Sequence, residues 1–380
     1  MKVPLLDLKG QYQTLKKEIL AATEAVYESQ YFILGKSVTD LEESIAQYCD
    51  TPHAVGVSSG SDALIISLMA AGISPGDIVL TTPYTFFATA GAIVRLGAKP
   101  AFVDIDPRTF NMDPKLLDAA LGKMTSAERK KVQAIIPVHL YGQCADMDPI
   151  LQFAQAHDLI IVEDAAQAIG SEYHDRRAGS MGDFGCFSFF PSKNLGAFGD
   201  GGVVTTGSGE YDAYLRILRG HGAKPKYYHK IIGGNFRLDA LQAAIVSVKL
   251  KYLDGWTQER QTNAEKYRNL FSQKGLSEII QLPIEQEGRH IYNQFVVMVP
   301  EKRDELRDFL AQAGIGTEVY YPVPLHLQAC FEYLGYQPGD FKHAEKASRL
   351  SLAIPIYPEL SDEQLEYVVE QIRMFYNKKV

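Results

Sequence analysis

The chain reads as an α/β protein: a large, mostly parallel sheet domain with helices on both faces, followed by a smaller C-terminal α+β domain. Three observations predict this. From about residue 50 to 206, short β-branched runs alternate with stretches of helical period, the pattern of a sheet built through crossover helices. The cores of those runs are almost continuously apolar, as strands covered on both faces must be. Beyond about 250 the alternation stops and a sparser mixture of helix and strand follows.

The strand candidates, in order, are HAVGVS (53–58), DIVLTT (77–82), KPAFVDI (99–105), VQAIIPVHL (132–140), LIIVEDA (159–165), CFSFF (186–190) and GGVVTT (201–206). Between them SDALIISLMAAG, TFFATAGAIVRLG and MDPILQFAQAHD place apolar residues at i, i+3 and i+4, which predicts helices with one buried face. Residues 239–271 read as one long helix. IYNQFVVMVP then reads as a strand, DELRDFLAQAG as a helix and DEQLEYVVEQIRMFY as a C-terminal helix. The expected division is 1–250 for the large domain and 251–380 for the small one, joined rigidly by the long helix.

Composition narrows the function classes. The 380 residues are 46% hydrophobic and 22% charged, an ordinary soluble composition that excludes disorder. With 38 Lys plus Arg against 46 Asp plus Glu, the net charge is −8. That disfavours nucleic acid and anionic membrane as partners, since both need a basic face. No apolar run reaches the roughly 20 residues of a membrane span. The N-terminus, apolar but broken by charges, fits neither a signal nor a transit peptide, so a cytoplasmic location is expected. Cys49, Cys144, Cys186 and Cys330 show no C-x-x-C spacing, against a disulfide scaffold or a structural zinc. The dispersed histidines lack metal-site spacing. Gly35-Lys36-Ser37 ends like a P-loop, but Gln30 stands where its first glycine belongs. No G-x-G-x-x-G, H-E-x-x-H or helix-turn-helix segment is found.

Ligands of open parallel sheets bind beyond the carboxyl ends of the strands, so residues there carry the argument. After HAVGVS, Ser59-Gly60-Ser61-Asp62 opens a helix whose start favours an anion such as phosphate; a plain cap by Ser61 or Asp62 is the simpler alternative. Asp164 ends a buried strand, where a carboxylate needs a cation or donor, either a ligand nitrogen or the next helix. Gln167 follows one turn on. Lys193 lies between an aromatic strand and the glycine-rich GAFGDGG, a setting that desolvates an amine into a nucleophile, although a snorkelling surface lysine fits as well. Together an anion cradle, an acid and an amine suit pyridoxal phosphate, with Phe86 placed to stack on its ring.

These segments, SSGSDAL, PYTFFATA, FVDID, VHLYGQCADM, VEDAAQAIG, FSFFPSKNLGAFGDGG, GGNFRLDALQAA and VYYPVPLHLQ, give the chain a resemblance to the DegT/DnrJ/EryC1/StrS sugar aminotransferases, of the fold type I pyridoxal phosphate class. The resemblance implies a Schiff base at Lys193, Asp164 on the pyridine nitrogen and Gln167 on the ring hydroxyl. It also implies Gly60, Ser61 and Ser188 on the phosphate, Phe86 on the ring, and Asn235 reaching the phosphate from the neighbouring subunit of a homodimer. The implied reaction moves an amino group from L-glutamate to a nucleotide-linked keto sugar. Lys193, rather than the histidine of the family's dehydratases, points to amination. PSKNLGAFGDGG with YYPVPLHLQ resembles the branch acting on 3-oxo sugars; the alternatives are a 4-oxo sugar aminotransferase or a non-catalytic regulator on the same scaffold. No acidic residue lies between Ala213 and Leu238, and this positive stretch could steer a diphosphate. Arg237 and Arg219 are the expected diphosphate contacts; Tyr320, Tyr321 and His326 are the expected sugar or nucleotide contacts, with a purely structural bond an equal alternative for His326. The nucleotide, UDP or dTDP, and the pathway stay open.

Overall fold

A computed structural model describes residues 1–286 and 288–377. Helices α1 (Leu8–Ser29) and α2 (Lys36–Tyr48) come first, where the apolar alternation is weak and no element was expected. Asp7 caps α1 by accepting from the Lys9 amide at 2.8 Å, as N-cap carboxylates do. Then follow β1 (His53–Val57), α3 (Gly60–Ala70), β2 (Ile78–Thr81), α4 (Ala88–Arg95), β3 (Lys99–Phe102), α5 (Leu117–Gly122), α6 (Ser126–Arg129), β4 (Val132–Ile135), α7 (Met147–His157) and β5 (Ile160–Asp164). A small hairpin of β6 (Glu172–Tyr173) and β7 (Arg176–Arg177) precedes β8 (Phe184–Ser188), β9 (Gly202–Thr206) and α8 (Gly209–Leu218). The remainder holds α9 (Ala240–Leu250), α10 (Leu253–Gln273), β10 (Phe295–Met298), α11 (Arg303–Gln312), α12 (Lys342–Leu350), β11 (Ser351–Ile354) and α13 (Asp362–Asn377).

All seven sheet runs read from the sequence join one sheet, ordered β1-β9-β8-β5-β4-β2-β3. Only β9 runs against its neighbours; β2, β3, β4, β5 and β8 pair in parallel. Helices α3, α4 and α8 bury Leu64, Ile66, Ile93 and Leu215 on one face. On the other, α2, α7 and α9 bury Leu41, Ile45, Phe153 and Val246. Both faces are therefore covered, as the continuous apolar runs require.

The reading of one long helix is corrected. An i to i−3 bond from the Tyr252 amide to the Lys249 carbonyl, 3.0 Å, tightens the last turn of α9, and α10 begins anew at Leu253. Beyond it β10 and β11 pair antiparallel over a second core that includes Tyr267, Phe271, Leu306 and Val369. Val3 joins that core too, bridging to Ile315. A third cluster, Tyr84, Phe110 and Tyr141 with Val296, Met298 and Ala353, packs the loops of the large sheet against the small one. Among the described residues no helix is long and apolar enough to cross a membrane.

Side chains finish both edges of the large sheet. On the outer side of β1, Glu42 Oε1 accepts from the Gly56 amide at 2.8 Å. Arg216 Nη2 donates to the Ala54 carbonyl at 3.1 Å and Arg219 Nη1 to the Gly56 carbonyl at 3.0 Å. On β3, Pro100 has no amide hydrogen to offer, and the Phe102 amide donates to the Tyr336 hydroxyl at 3.3 Å.

Candidate active site

Register brings the candidate residues to one end of the sheet. Gly202 of β9 lies opposite Val57 of β1 and Ser188 of β8, while Asp164 of β5 lies opposite Cys186. The turns after β1, β5 and β8 therefore open side by side. The start of α3 is capped by Ser59, whose Oγ accepts from the Asp62 amide at 3.0 Å, not by Ser61 or Asp62. Among the described residues the amides of Gly60 and Ser61 have no protein partner, so they are available to an anion. A Cβ on Gly60 would lie 2.6 Å from Ser188 Cβ. Only glycine lets the helix start come this near the end of β8.

Asp164 is buried, and Thr89 Oγ1 donates to its Oδ2 at 2.7 Å. Among the described residues Oδ1 accepts only a long bond, 3.3 Å, from the Ala166 amide. Burial raises the carboxyl pKa, opposed by the bonds from Thr89 and Ala166 and by the charge of Lys193. Lys193 sits in the turn after β8, its amide donating to the Phe190 carbonyl at 2.9 Å. Desolvation lowers its amine to about 8, with the Asp164 charge acting in the opposite direction. At neutral pH such an amine retains a usable free-base fraction, unlike an ordinary lysine.

Gln167 bridges the sheet to the C-terminal part: its Oε1 accepts from the Tyr141 amide at 2.7 Å and its Nε2 donates to the Tyr321 hydroxyl at 3.3 Å. Phe86 is 58% exposed, with its ring centroid 6.1 Å from that of Tyr321. Tyr320 contributes its carbonyl, which accepts from the hydroxyls of Tyr84, at 2.5 Å, and Tyr141. Asn235 and Arg237 line an adjoining cleft of about 590 Å³ together with Ser58, Ser59 and Asp200. The buried Arg237 Nε has no partner among the described residues.

Two of the expected substrate contacts engage other protein groups in the structure. Arg219 is buried, and its Nη1 pairs with Glu42 and bonds the β1 edge, while its Nε has no partner among the described residues. His326 is 2% exposed, with Nε2 3.2 Å from Glu345 Oε1 and its ring against Phe341. Burial lowers its pKa. Its Nδ1 has no partner among the described residues.

Other residues of this end carried no sequence signal. Thr89 falls in the helical TFFATAGAIVRLG and the family segment PYTFFATA, neither of which singles it out. Glu163, on the opposite face of β5 from Asp164, is fully buried. It accepts amides from Gly179, Met181 and Gly182 at 2.6–2.7 Å and meets His139 Nε2 at 2.8 Å. Since His139 Nδ1 accepts from the Ala145 amide at 3.1 Å, Nε2 carries the proton donated to Glu163. Four donors satisfy this buried carboxylate.

The model of the DegT/DnrJ/EryC1/StrS aminotransferase family matches residues 13–373. A pleiotropic regulatory protein of Geobacillus stearothermophilus is 50% identical over 377 residues, 99% of each chain. The dTDP-3-amino-3,4,6-trideoxy-alpha-D-glucose transaminase of Streptomyces venezuelae is 41% identical, over 98% of this chain and 96% of that one. The UDP-N-acetyl-3-dehydro-alpha-D-glucosamine 3-aminotransferase of Acidithiobacillus ferrooxidans is 40% identical, over 98% and 97%. Among solved structures, S. venezuelae DesV in complex with a ketimine intermediate superposes with a TM-score of 0.92 at 40% identity, covering 98% of both chains. The Bacillus subtilis NtdA structure with bound cofactor PMP gives 0.90 at 31%, covering 100% of this chain and 86% of that one. Fold and neighbours together define a transaminase of fold type I. The chain belongs to the DegT/DnrJ/EryC1/StrS aminotransferase family.

Proposed function

We propose that this chain uses pyridoxal 5'-phosphate to move an amino group from L-glutamate to C3 of a nucleotide-linked 3-oxo sugar. It would act as a cytoplasmic homodimer with its sites at the subunit interface. One observation carries the reading: a desolvated lysine, a buried aspartate and a helix start with unclaimed amides open at the same sheet end. The names of the transaminases at about 40% identity, from Streptomyces venezuelae and Acidithiobacillus ferrooxidans, support a nucleotide sugar and position C3.

The residues suit the cofactor. The Gly60 and Ser61 amides with Ser188 would hold the phosphate. Asp164 Oδ1, weakly engaged at 3.3 Å, has capacity for a ring N–H. Lys193 would hold the aldehyde carbon, Gln167 would meet the ring hydroxyl, and the exposed Phe86 ring would cover one face. Asn235 would reach the phosphate of the partner subunit's site. When bound, pyridoxal phosphate supplies an electron sink and carries the amino group between substrates.

The chain's own groups do the rest. Lys193 Nζ takes a proton and returns it near neutral pH, as a general base and acid. Asp164, fixed through Oδ2 by Thr89, would serve the ring nitrogen. Arg237 lines the cleft and would meet the diphosphate through its guanidinium. Tyr321, tied to Gln167, would border the sugar, with Tyr320 shaping the same wall.

The test is direct. Incubation with L-glutamate and a panel of 3-oxo and 4-oxo nucleotide sugars, with product position read by NMR, should give a 3-amino sugar and 2-oxoglutarate. A 4-amino product would reject C3. Lys193→Ala should lose both product and the cofactor's bound absorbance. The regulatory name of the 50% identical relative favours a second reading, a ligand-binding regulator; release of no keto acid with any sugar would decide for it.

A further inference from the structure

We propose that Lys249 is a positioning residue: from within the core it holds the loop that carries Lys193, by donating to the carbonyl of Gly196. The inference rests on the reading of Lys193 given above. Lys249 is 2% exposed near the C-terminal end of α9, and its Nζ donates to Gly196 O. The Nζ also lies 5.6 Å from the centroid of the Phe198 ring. Burial lowers its amine to about 8, and Glu359 is the charged group that opposes the shift. Burying an ammonium is costly, and an apolar side chain of similar volume usually serves a core as well or better. An interior lysine therefore points to a task beyond packing. Its bond partner names the task, because Gly196 is three residues beyond Lys193.

The loop transmits position over that distance. Its ends are closed by Phe189 N–H to Gly201 O at 2.8 Å and Ala197 N–H to Phe189 O at 2.7 Å. Gly196 rests directly on the Pro191 carbonyl, with no room for a Cβ, so a displaced Gly196 displaces the turn beneath Lys193. Gln242, seven residues before Lys249 and on the same face of α9, accepts from the Phe198 amide at 2.9 Å. From the opposite side Asn194 donates to the Ile291 carbonyl at 3.0 Å and accepts from Asn293 at 2.8 Å. Lys193 thus sits in a loop pinned at Asn194, Gly196 and Phe198. Lys249 supplies the charged pin of the three.

The test compares Lys249→Met with wild type in two ways. In the cofactor-free protein, amide exchange at Ala197, followed by mass spectrometry, should accelerate. In the loaded enzyme kcat should fall ~10- to 100-fold, the scale of a small misplacement at the reacting centre, with KM for L-glutamate changed far less. Lys249→Arg, which keeps donor and charge, should recover most of kcat. Should Lys249→Met fail to fold, Lys249→Gln carries the same two readouts. Wild-type kcat and wild-type exchange in the folded variant would overturn the proposal. Failure of the underlying reading looks different: Lys193→Ala would then keep the bound-cofactor absorbance whatever Lys249 does.

Discussion

The approach of α3 to β8 is set by one absent Cβ. Gly60→Ala places a methyl 2.6 Å from Ser188 Cβ, which neither backbone can absorb without shifting. Overpacking of this kind costs ~1–3 kcal/mol, so affinity for pyridoxal phosphate should drop roughly tenfold or more, measured by equilibrium dialysis. Gly122→Ala is the control. Nothing lies within 4 Å of a Cβ there, and the substitution should leave binding unchanged. Lys193 offers a pH test in the cofactor-free protein. Its folded pKa, about 8, lies below the ordinary lysine value of 10.5, so above pH 8 the unfolded chain holds more protons. Stability gained from this group rises with pH across that window and its burial penalty is full below it. Lys193→Met should therefore exceed wild type in stability at pH 7, by a margin that shrinks toward pH 10, as urea midpoints would report. A constant margin would contradict the desolvated amine.

At the scale of elements, Arg219 belongs to the β1 edge. Glu42, on α2, accepts from Arg219, Arg216 and the Gly56 amide. Without Arg219, Glu42 keeps Arg216 and the Gly56 amide, so the cost should be that of a lost hydrogen bond to a charged group, about 1.5–3 kcal/mol. Arg219→Met should lower the denaturation midpoint accordingly, while leaving KM for the nucleotide sugar close to wild type in whatever fraction stays folded. The reverse pattern, unaltered stability with raised KM, would return Arg219 to the substrate. This residue also shows where sequence reasoning runs out. The seven sheet runs were legible because covered strands need apolar residues in continuous blocks. Asp164 and Lys193 drew attention because they lie at or just beyond the end of such a block, whereas Ser188, inside its run, was implied only by the family resemblance. Arg219 was read with its basic neighbours, since its partner is 177 positions away and no local pattern links them. The Ser59 cap was missed because Ser58, Ser59 and Ser61 are chemically alike and only the backbone selects among them. The break between α9 and α10 carries no proline, and Gly255 lies inside α10, so periodicity ran straight through it.

At the scale of the whole molecule, the two sheets meet through hydroxyls. Tyr84 and Tyr141, from loops of the large sheet, both donate to the Tyr320 carbonyl. Tyr84 also meets Ser351 Oγ at 2.9 Å, and Tyr141 meets Tyr84 at 3.1 Å. Deleting one hydroxyl should cost about 1 kcal/mol. Because the groups share partners, Tyr84→Phe with Tyr141→Phe should depart from additivity by ~0.5 kcal/mol or more, read from a double-mutant cycle in urea. Strict additivity would mean that the two hydroxyls do not act as one network. The seam also carries Tyr321 toward Gln167, so the double variant should raise KM for the proposed sugar substrate while leaving the half-reaction with the proposed donor, L-glutamate, nearer to wild type.

The side chains along the outer edges of β1 and β3 bear on how copies of this protein can meet. A carboxylate and two guanidiniums occupy the hydrogen-bonding positions of an eighth strand on one side, and a proline and a tyrosine hydroxyl do so on the other. The sheet is therefore closed to growth by strand addition, the route by which exposed edges seed fibres. Assembly is left to helices and loops, whose geometry can end at a fixed number of subunits. Opening the β1 edge through Glu42 would then threaten solubility before it threatened chemistry.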